Sequence, residues 1–151
     1  MSHTVEGCWR KVKEILENDS TLGSYVKKVY EGSRDNIPKS NYPCIVMEPR
    51  GISERDISIP EQVEAVFTIT LLGVIEVYDK EKQIVGDDST KGIVDLMLDI
   101  KRALGKDTNL SGNCIYFEFP DTRFDLGMFY PLRGVEIDMA IHLRQNFRTR
   151  A

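Results

Sequence analysis

Histidine is nearly missing from this sequence: His3 and His142 are the only two in 151 residues. Neither sits in a cysteine, serine and acid arrangement of the kind nucleophilic catalysis needs. His142 falls on the polar side of an alternating segment, which suits a surface or interface residue. Cysteine is scarce too. Cys8, Cys44 and Cys114 are odd in number, widely spaced and never arranged as C-x-x-C. That pattern excludes a zinc site and a disulfide framework, and it fits a reducing compartment. The opening stretch, MSHTVEGCWRKVKEIL, has no apolar run of signal-peptide type. The most apolar stretch, Val66 to Val77, is interrupted by Thr68, Thr70 and Glu76. It falls short of the ~20 residues a membrane helix requires, so no membrane partner is expected. Positive charge is also in deficit, with 20 Lys and Arg against 24 Asp and Glu and a net charge of -4. A domain devoted to coating nucleic acid is usually basic.

What is present is ordinary globular material, 41% hydrophobic and 29% charged, at a length that predicts one domain over residues 1–151. Val5, Cys8, Trp9, Val12, Ile15 and Leu16 recur at helical spacing, with Thr4 placed to cap the helix they define. Tyr25 to Glu31 reads as a strand, or alternatively as a helical extension. CIVME reads as a strand bounded by Pro43 and Pro49, since proline lacks a ladder donor. SERDISIPEQ reads as an exposed loop or a long hairpin excursion. Val63 to Val77 is the longest strand candidate and is apolar enough on both sides to be central, with Gly73 marking a bulge or bend. A helix is expected over Ser89 to Leu104, capped by Asp87 or Ser89. Ile93, Leu96, Met97, Ile100, Ala103 and Leu104 form its buried stripe. CIYFEF follows as a strand closed by Pro120. In GVEIDMAIHLR, Val135, Ile137, Met139, Ile141 and Leu143 point inward, while Glu136, Asp138, Ala140, His142 and Arg144 face solvent or an interface. Residues 145–151 are expected to form a flexible basic arm. The order α-β-β-β-α-β-β predicts an α+β domain: a mostly antiparallel sheet of about five strands with two main helices packed on it.

Chemical motifs are weak. GDDSTKG has glycines and a lysine, but Lys91 precedes Gly92 where a phosphate loop needs it after the second glycine. A helix start with capping acids accounts for it better. Glu118, Asp121 and Asp125 are candidate oxygen ligands without an established spacing, and solvated loop acids are the simpler account. Cys44, inside an apolar run, lacks the cationic setting that activates a thiol. No catalytic residue, metal or cofactor is therefore expected. Two features point outward instead. Phe124, Met128, Phe129 and Tyr130 crowd one glycine-containing loop, which either meets a partner or packs back on its own core. Arg144, Arg148 and Arg150 make the last residues basic, suited to nucleic acid, to an acidic neighbour or simply to solubility.

Taken in order, VEGCWRKVKEIL, the proline-led YPCIVM, VEAVFTITLLGVIEV, GIVDLMLDIKRAL, CIYFEF and GVEIDMAIHLR resemble the tail terminator proteins of long-tailed bacteriophages. These are also called tail-completion or tail-to-head joining proteins. The resemblance spans nearly the full chain. It implies a non-enzymatic protein that forms a homo-oligomeric ring, typically a hexamer, on the finished tail tube. Such a ring stops tail growth and presents a surface to the head connector or neck protein. It would reside in the virion tail and assemble in the host cytoplasm, from an active phage or a prophage. DNA would be met only as it crosses the lumen. On this reading Phe124, Met128, Phe129, Tyr130, Glu136, Asp138, His142, Arg144, Arg148 and Arg150 are the candidate interface residues. The alternative is a small-ligand-binding or regulatory α+β module, marked by a concave apolar pocket.

Overall fold

The computed structural model describes residues 3–32, 34–36, 41–56, 62–125 and 129–146. Three helices lie on one face of a five-stranded sheet: α1 (Val5–Asn18), α2 (Ser20–Gly23) and α3 (Ile93–Gly105). The strands are β1 (Lys28–Glu31), β2 (Cys44–Asp56), β3 (Gln62–Glu76), β4 (Tyr116–Phe124) and β5 (Leu132–Asn146). Their spatial order is β1-β2-β3-β5-β4, with β1 and β2 parallel and every other pair antiparallel. This is the expected α+β domain, with a one-turn helix added after α1.

The helix-facing side follows hydrophobic periodicity. Cys8, Val12 and Leu16 of α1 and Ile93, Leu96, Ile100 and Leu104 of α3 are buried against Ile45, Met47, Ile69, Leu71, Ile137, Met139 and Ile141. Thr4 caps α1, its hydroxyl accepting from the Gly7 amide at 3.0 Å. α3 begins at Ile93 rather than at Ser89. The amides of Gly86, in the preceding loop, and of Gly92, the N-cap, both donate to Asp95 Oδ2, at 2.7 and 2.8 Å. The first-turn amides of Ile93 and Val94 donate to the Gln83 and Ile84 carbonyls, so backbone groups rather than Asp87 or Ser89 satisfy the helix start. Asp87 instead closes its own loop, accepting from Ser89 and Thr90.

Four other expectations are corrected. The strand expected over Tyr25 to Glu31 starts at Lys28, because Tyr25 is drawn towards α3 and donates its hydroxyl to Asp99 Oδ2 at 2.6 Å. Neither Pro49 nor Pro120 ends a strand. β2 runs on to Asp56 and β4 to Phe124, each with a register shift beside its proline. β4 is an outer strand, and β2 lies beyond the reach of β1 from Glu48 onward, so a missing donor at either proline leaves no ladder bond unmade. Gly73 is not a bulge. It is paired in register with both Ile45 and Val135, and a Cβ there would stand 2.8 Å from Leu96 Cδ2. Glycine lets α3 approach the sheet closely at this point. Gln145 and Asn146, expected in the arm, lie in β5 opposite Val63 and Gln62.

Leu96→Ala is expected to cost about 3 kcal/mol in urea denaturation, and Gly73→Ala about 1 kcal/mol through overpacking. Because the added methyl enters the space the leucine vacates, the double variant should lose less than the two single losses combined. Simple additivity would show that Leu96 does not set the helix-to-sheet distance.

Candidate functional site

The sheet face away from the helices, which the alternation of β5 turns towards solvent or an interface, carries a largely buried charged cluster. Two rows of residues cross it. One runs Val46, Leu72, Glu136, Arg123, and the next Glu48, Thr70, Asp138, Asp121. The side chain of Glu136 is only 8% exposed. Arg34, from the turn after β1, donates to Glu48 Oε2 at 3.1 Å, to Glu48 Oε1 at 2.5 Å and to Glu136 Oε1 at 2.6 Å. Arg50 stands 3.6 Å from Glu48 and 3.5 Å from Glu136, and its Nε donates to Thr70 Oγ1 at 2.8 Å. The Thr70 hydroxyl in turn donates a hydrogen bond to Asp138 Oδ1 at 2.9 Å. Arg123 grips Asp138 with two nitrogens, at 2.8 and 3.0 Å, and also reaches Asp121 and Glu136.

The two register shifts build this cluster. In β2 the extra residue is Arg50, so Arg50 stays on the outer face while Ile52 falls on the helix side. In β4 the extra residue lies between Glu118 and Asp121 and brings Asp121 and Arg123 opposite Asp138 and Glu136. Arg34 holds the Glu48 carboxyl below its ordinary pKa, and Arg123 does the same for Asp138, in each case against an opposing effect of burial. Ionised carboxylates locked onto guanidinium forks neither donate nor shuttle protons near neutral pH. The cluster is a structural lock and has the wrong chemistry for acid–base catalysis. It gives way to a small apolar patch of Cys44, Val46, Leu72 and Val74, flanked by Tyr30, Tyr42 and Leu132.

The remaining chemical candidates are occupied similarly. Glu118 lies 3.3 Å from His142, Asp121 is bound by Arg123, and Asp125 by Arg133. Among the described residues no group of three or more His, Cys, Asp or Glu is arranged to hold a metal ion. Burial pushes the thiols of Cys8 and Cys44 up to about 12 and that of Cys114 up to about 11, so all three are protonated small hydrophobes at neutral pH. No described helix is long and apolar enough to cross a membrane.

Two open surfaces stand out among the described residues. The first is at the end of the sheet where β3 stops and β5 starts. Phe129 is 82% exposed, Tyr78 66% and Tyr130 54%, with Phe124 also exposed at the same end. Tyr130 is held in place by its hydroxyl bond to the Tyr78 carbonyl (2.8 Å), by edge-on contact with the Tyr78 ring and by the Lys80 ammonium over its face. Asp125, at a left-handed φ of 57°, pins the start of the β4–β5 connection by accepting from Arg133 and from the Gly134 amide. A cavity of about 260 Å³ lies among Gln83, Asp125, Phe129, Tyr130, Leu132 and Arg133. The second surface is a groove of about 490 Å³ where α1 meets the β2 edge, lined by Val5, Glu6, Trp9, Arg10, Glu31, Pro49 and Phe67.

The ten sequence-derived interface residues therefore do not form one surface. Phe124, Phe129 and Tyr130 share the aromatic end. Glu136 and Asp138 are inside the charged lock, and His142 and Arg144 lie towards the far end of β5. Met128, Arg148 and Arg150 are outside the described residues. Arg34, Glu48, Arg50, Thr70 and Arg123 were not anticipated, and neither was the groove. The sequence signal was a set of acids and a threonine facing one another across long apolar strands.

No protein family matches the chain, and no curated protein matches it as a relative. Among solved structures, a chain from the virion of a native gene transfer agent particle is similar in fold. It is 12% identical, with a TM-score of 0.50, over 88% of this chain and 91% of that one.

Replacing Arg34 by methionine leaves Glu48 and Glu136 without their nearest cation. It is expected to cost about 2–3 kcal/mol at pH 7, less than the 3–5 kcal/mol of a fully buried pair because Arg34 is partly exposed. Glu48 and Asp138 have depressed folded pKa values, so their contribution is present above the ordinary carboxylate range and is lost as pH falls through the folded values. The gap between wild type and R34M in urea denaturation should thus shrink between pH 7 and pH 3. An equal gap at both would mean the loss is one of packing.

Proposed function

We propose that this protein is a non-enzymatic virion component of a tailed phage or phage-like particle, and more narrowly a tail terminator. On this reading copies join into a ring, a hexamer by analogy with the family resembled, on the completed tail tube. The ring ends tube growth and offers its other side to the head connector. The observation that supports this best is the likeness in fold, over most of both chains, to a chain from a gene transfer agent virion. The order of sequence segments, read independently, pointed to the same class of particle.

The surfaces agree with a protein that works by contact. Its buried carboxylates are neutralised internally, while Phe129, Tyr78 and Tyr130 stand out on a pinned frame. Exposed, rigid aromatics are the residue type that anchors interface cores. The aromatic end is accordingly assigned to the tube or the connector. A small-ligand module would have to use the groove at Trp9. There Glu6 is paired with Arg10, and Glu31 with Lys13 and the Trp9 indole, which leaves few polar groups to orient a small molecule.

Inactivating the gene in a particle-producing genome should yield separate heads and tails of abnormal length in electron micrographs. Complementation with Phe129→Asp should fail although the purified variant melts within a few degrees of wild type. Normal particles in the deletion strain would remove the reading altogether.

A further inference from the structure

The only two histidines of the chain meet the same edge of β5. β4 begins at Tyr116, opposite His142, and just before it the Ile115 amide donates to the His142 carbonyl at 2.8 Å. β5 runs on to Asn146, so its β4-facing edge continues past the end of β4. Backbone groups of alternate residues point to the same side of a strand, which turns the Arg144 amide towards this open stretch. A side chain satisfies it there. The Arg144 amide donates to Nδ1 of His3, 3.0 Å away, on the residue before the Thr4 cap of α1.

This bond exists in one protonation state only. Nδ1 accepts when the ring is neutral with its proton on Nε2, whereas a protonated imidazole has a donor on both nitrogens and no acceptor. A ring N–H would then face the Arg144 N–H. The surroundings offer the cation nothing in return. Burial holds the His3 pKa below its ordinary value, and the charges that act on it, the chain's amino group and the Arg144 guanidinium, are both positive and push the same way. The acids on adjoining elements are paired elsewhere: Glu64, opposite Arg144 on β3, with Arg55 of β2, Glu6 of α1 with Arg10, and Glu118 of β4 with His142. His142 is in the opposite position. It stands 3.3 Å from the Glu118 carboxylate and stacks on the Tyr116 ring at 4.2 Å, so protonation strengthens its contact with β4.

We propose that His3 is an acid-released plug on the open edge of β5: neutral, it caps the Arg144 amide and holds the start of the chain against the strand, and protonated, it leaves and bares the edge. The cap's contribution is full above the ordinary histidine range and is lost as pH falls through the lowered folded value. An edge with a free donor is a template for an added strand, so acid turns a closed edge into one that can pair. The β4 end of the sheet stays in place meanwhile, because the His142 contact does not need a neutral ring.

The Arg144 amide is its own reporter in NMR spectra of the full-length protein. From pH 8 to pH 5, the range in which histidine titrates, its proton resonance should move upfield with the same midpoint as the His3 ring. Its protection from hydrogen exchange, corrected for the intrinsic effect of pH, should fall roughly fivefold, the size of one hydrogen bond. His3→Gln keeps an acceptor that does not titrate and should make the amide independent of pH over this range. His3→Ala should leave it in the acid position throughout, and His142→Gln should leave the wild-type titration unchanged. An Arg144 amide unmoved between pH 8 and pH 5 would overturn the plug. A titration that survives in His3→Gln and disappears in His142→Gln would overturn it too, by assigning the effect to His142.

Discussion

The buried carboxylate of Glu136 is the constraint around which the outer half of the molecule is organised. A carboxyl group on the middle of β5, nearly closed off from water, is tolerable only if partners reach it. No neighbour on its own strand can do this. The three guanidinium groups that surround it come from the turn after β1, from the extra residue in β2 and from β4. Each of the segments outside the central strand pair is thereby tied to the centre of the sheet by one charged bond. The short β1 strand, paired over only four residues, gains its second tether through Arg34.

That arrangement explains why the two edge prolines are tolerated. Pro49 and Pro120 both sit next to an added residue, and both added residues bring an arginine into reach of the lock. From sequence, proline in a strand is a stop signal, and Pro49 and Pro120 read that way. The rule fails here because the strands concerned have an open side. A donor missing towards solvent costs little, whereas a donor missing in a central ladder would leave a buried carbonyl unsatisfied. An open edge is a property of the assembled sheet and cannot be inferred from either strand alone.

The helix-facing side was legible for the complementary reason. Val5 through Leu16 and Ile93 through Leu104 repeat at helical spacing. Val135 through Leu143 alternate, and burial of one stripe needs no knowledge of what lies opposite. On the outer side Glu136, Asp138 and His142 alternate with apolar residues as a solvated or interface-facing side does, and that alternation carries no sign of a charged lock. Their arginine partners are between 13 and 102 residues away in sequence for Glu136, and no local pattern couples Arg34 to it. The groove escaped notice for the same kind of reason. Trp9 and Phe67 each look like ordinary core residues within their own segments, and the groove they line appears only where β1 departs early from β2.

A protein that acts by contact has reason to hold its surfaces still. Ordering mobile side chains at the moment of binding subtracts from affinity, so surfaces fixed in advance bind more tightly for the same area. Here the two open surfaces are both backed by such fixtures. Tyr130 is fastened by its hydroxyl, by a ring contact and by an ammonium, and Asp125 anchors the backbone beside it. Trp9 is fixed by its indole bond to Glu31, which Lys13 also holds, and by the Phe67 ring. The charged lock lies between them and couples β1, β2, β4 and β5 into one plate. The aromatic end and the groove therefore keep a constant separation and orientation. Under the proposed function a subunit would meet a neighbour at one place and a different protein at another, which requires this of its frame, and a loosely packed sheet could not provide it.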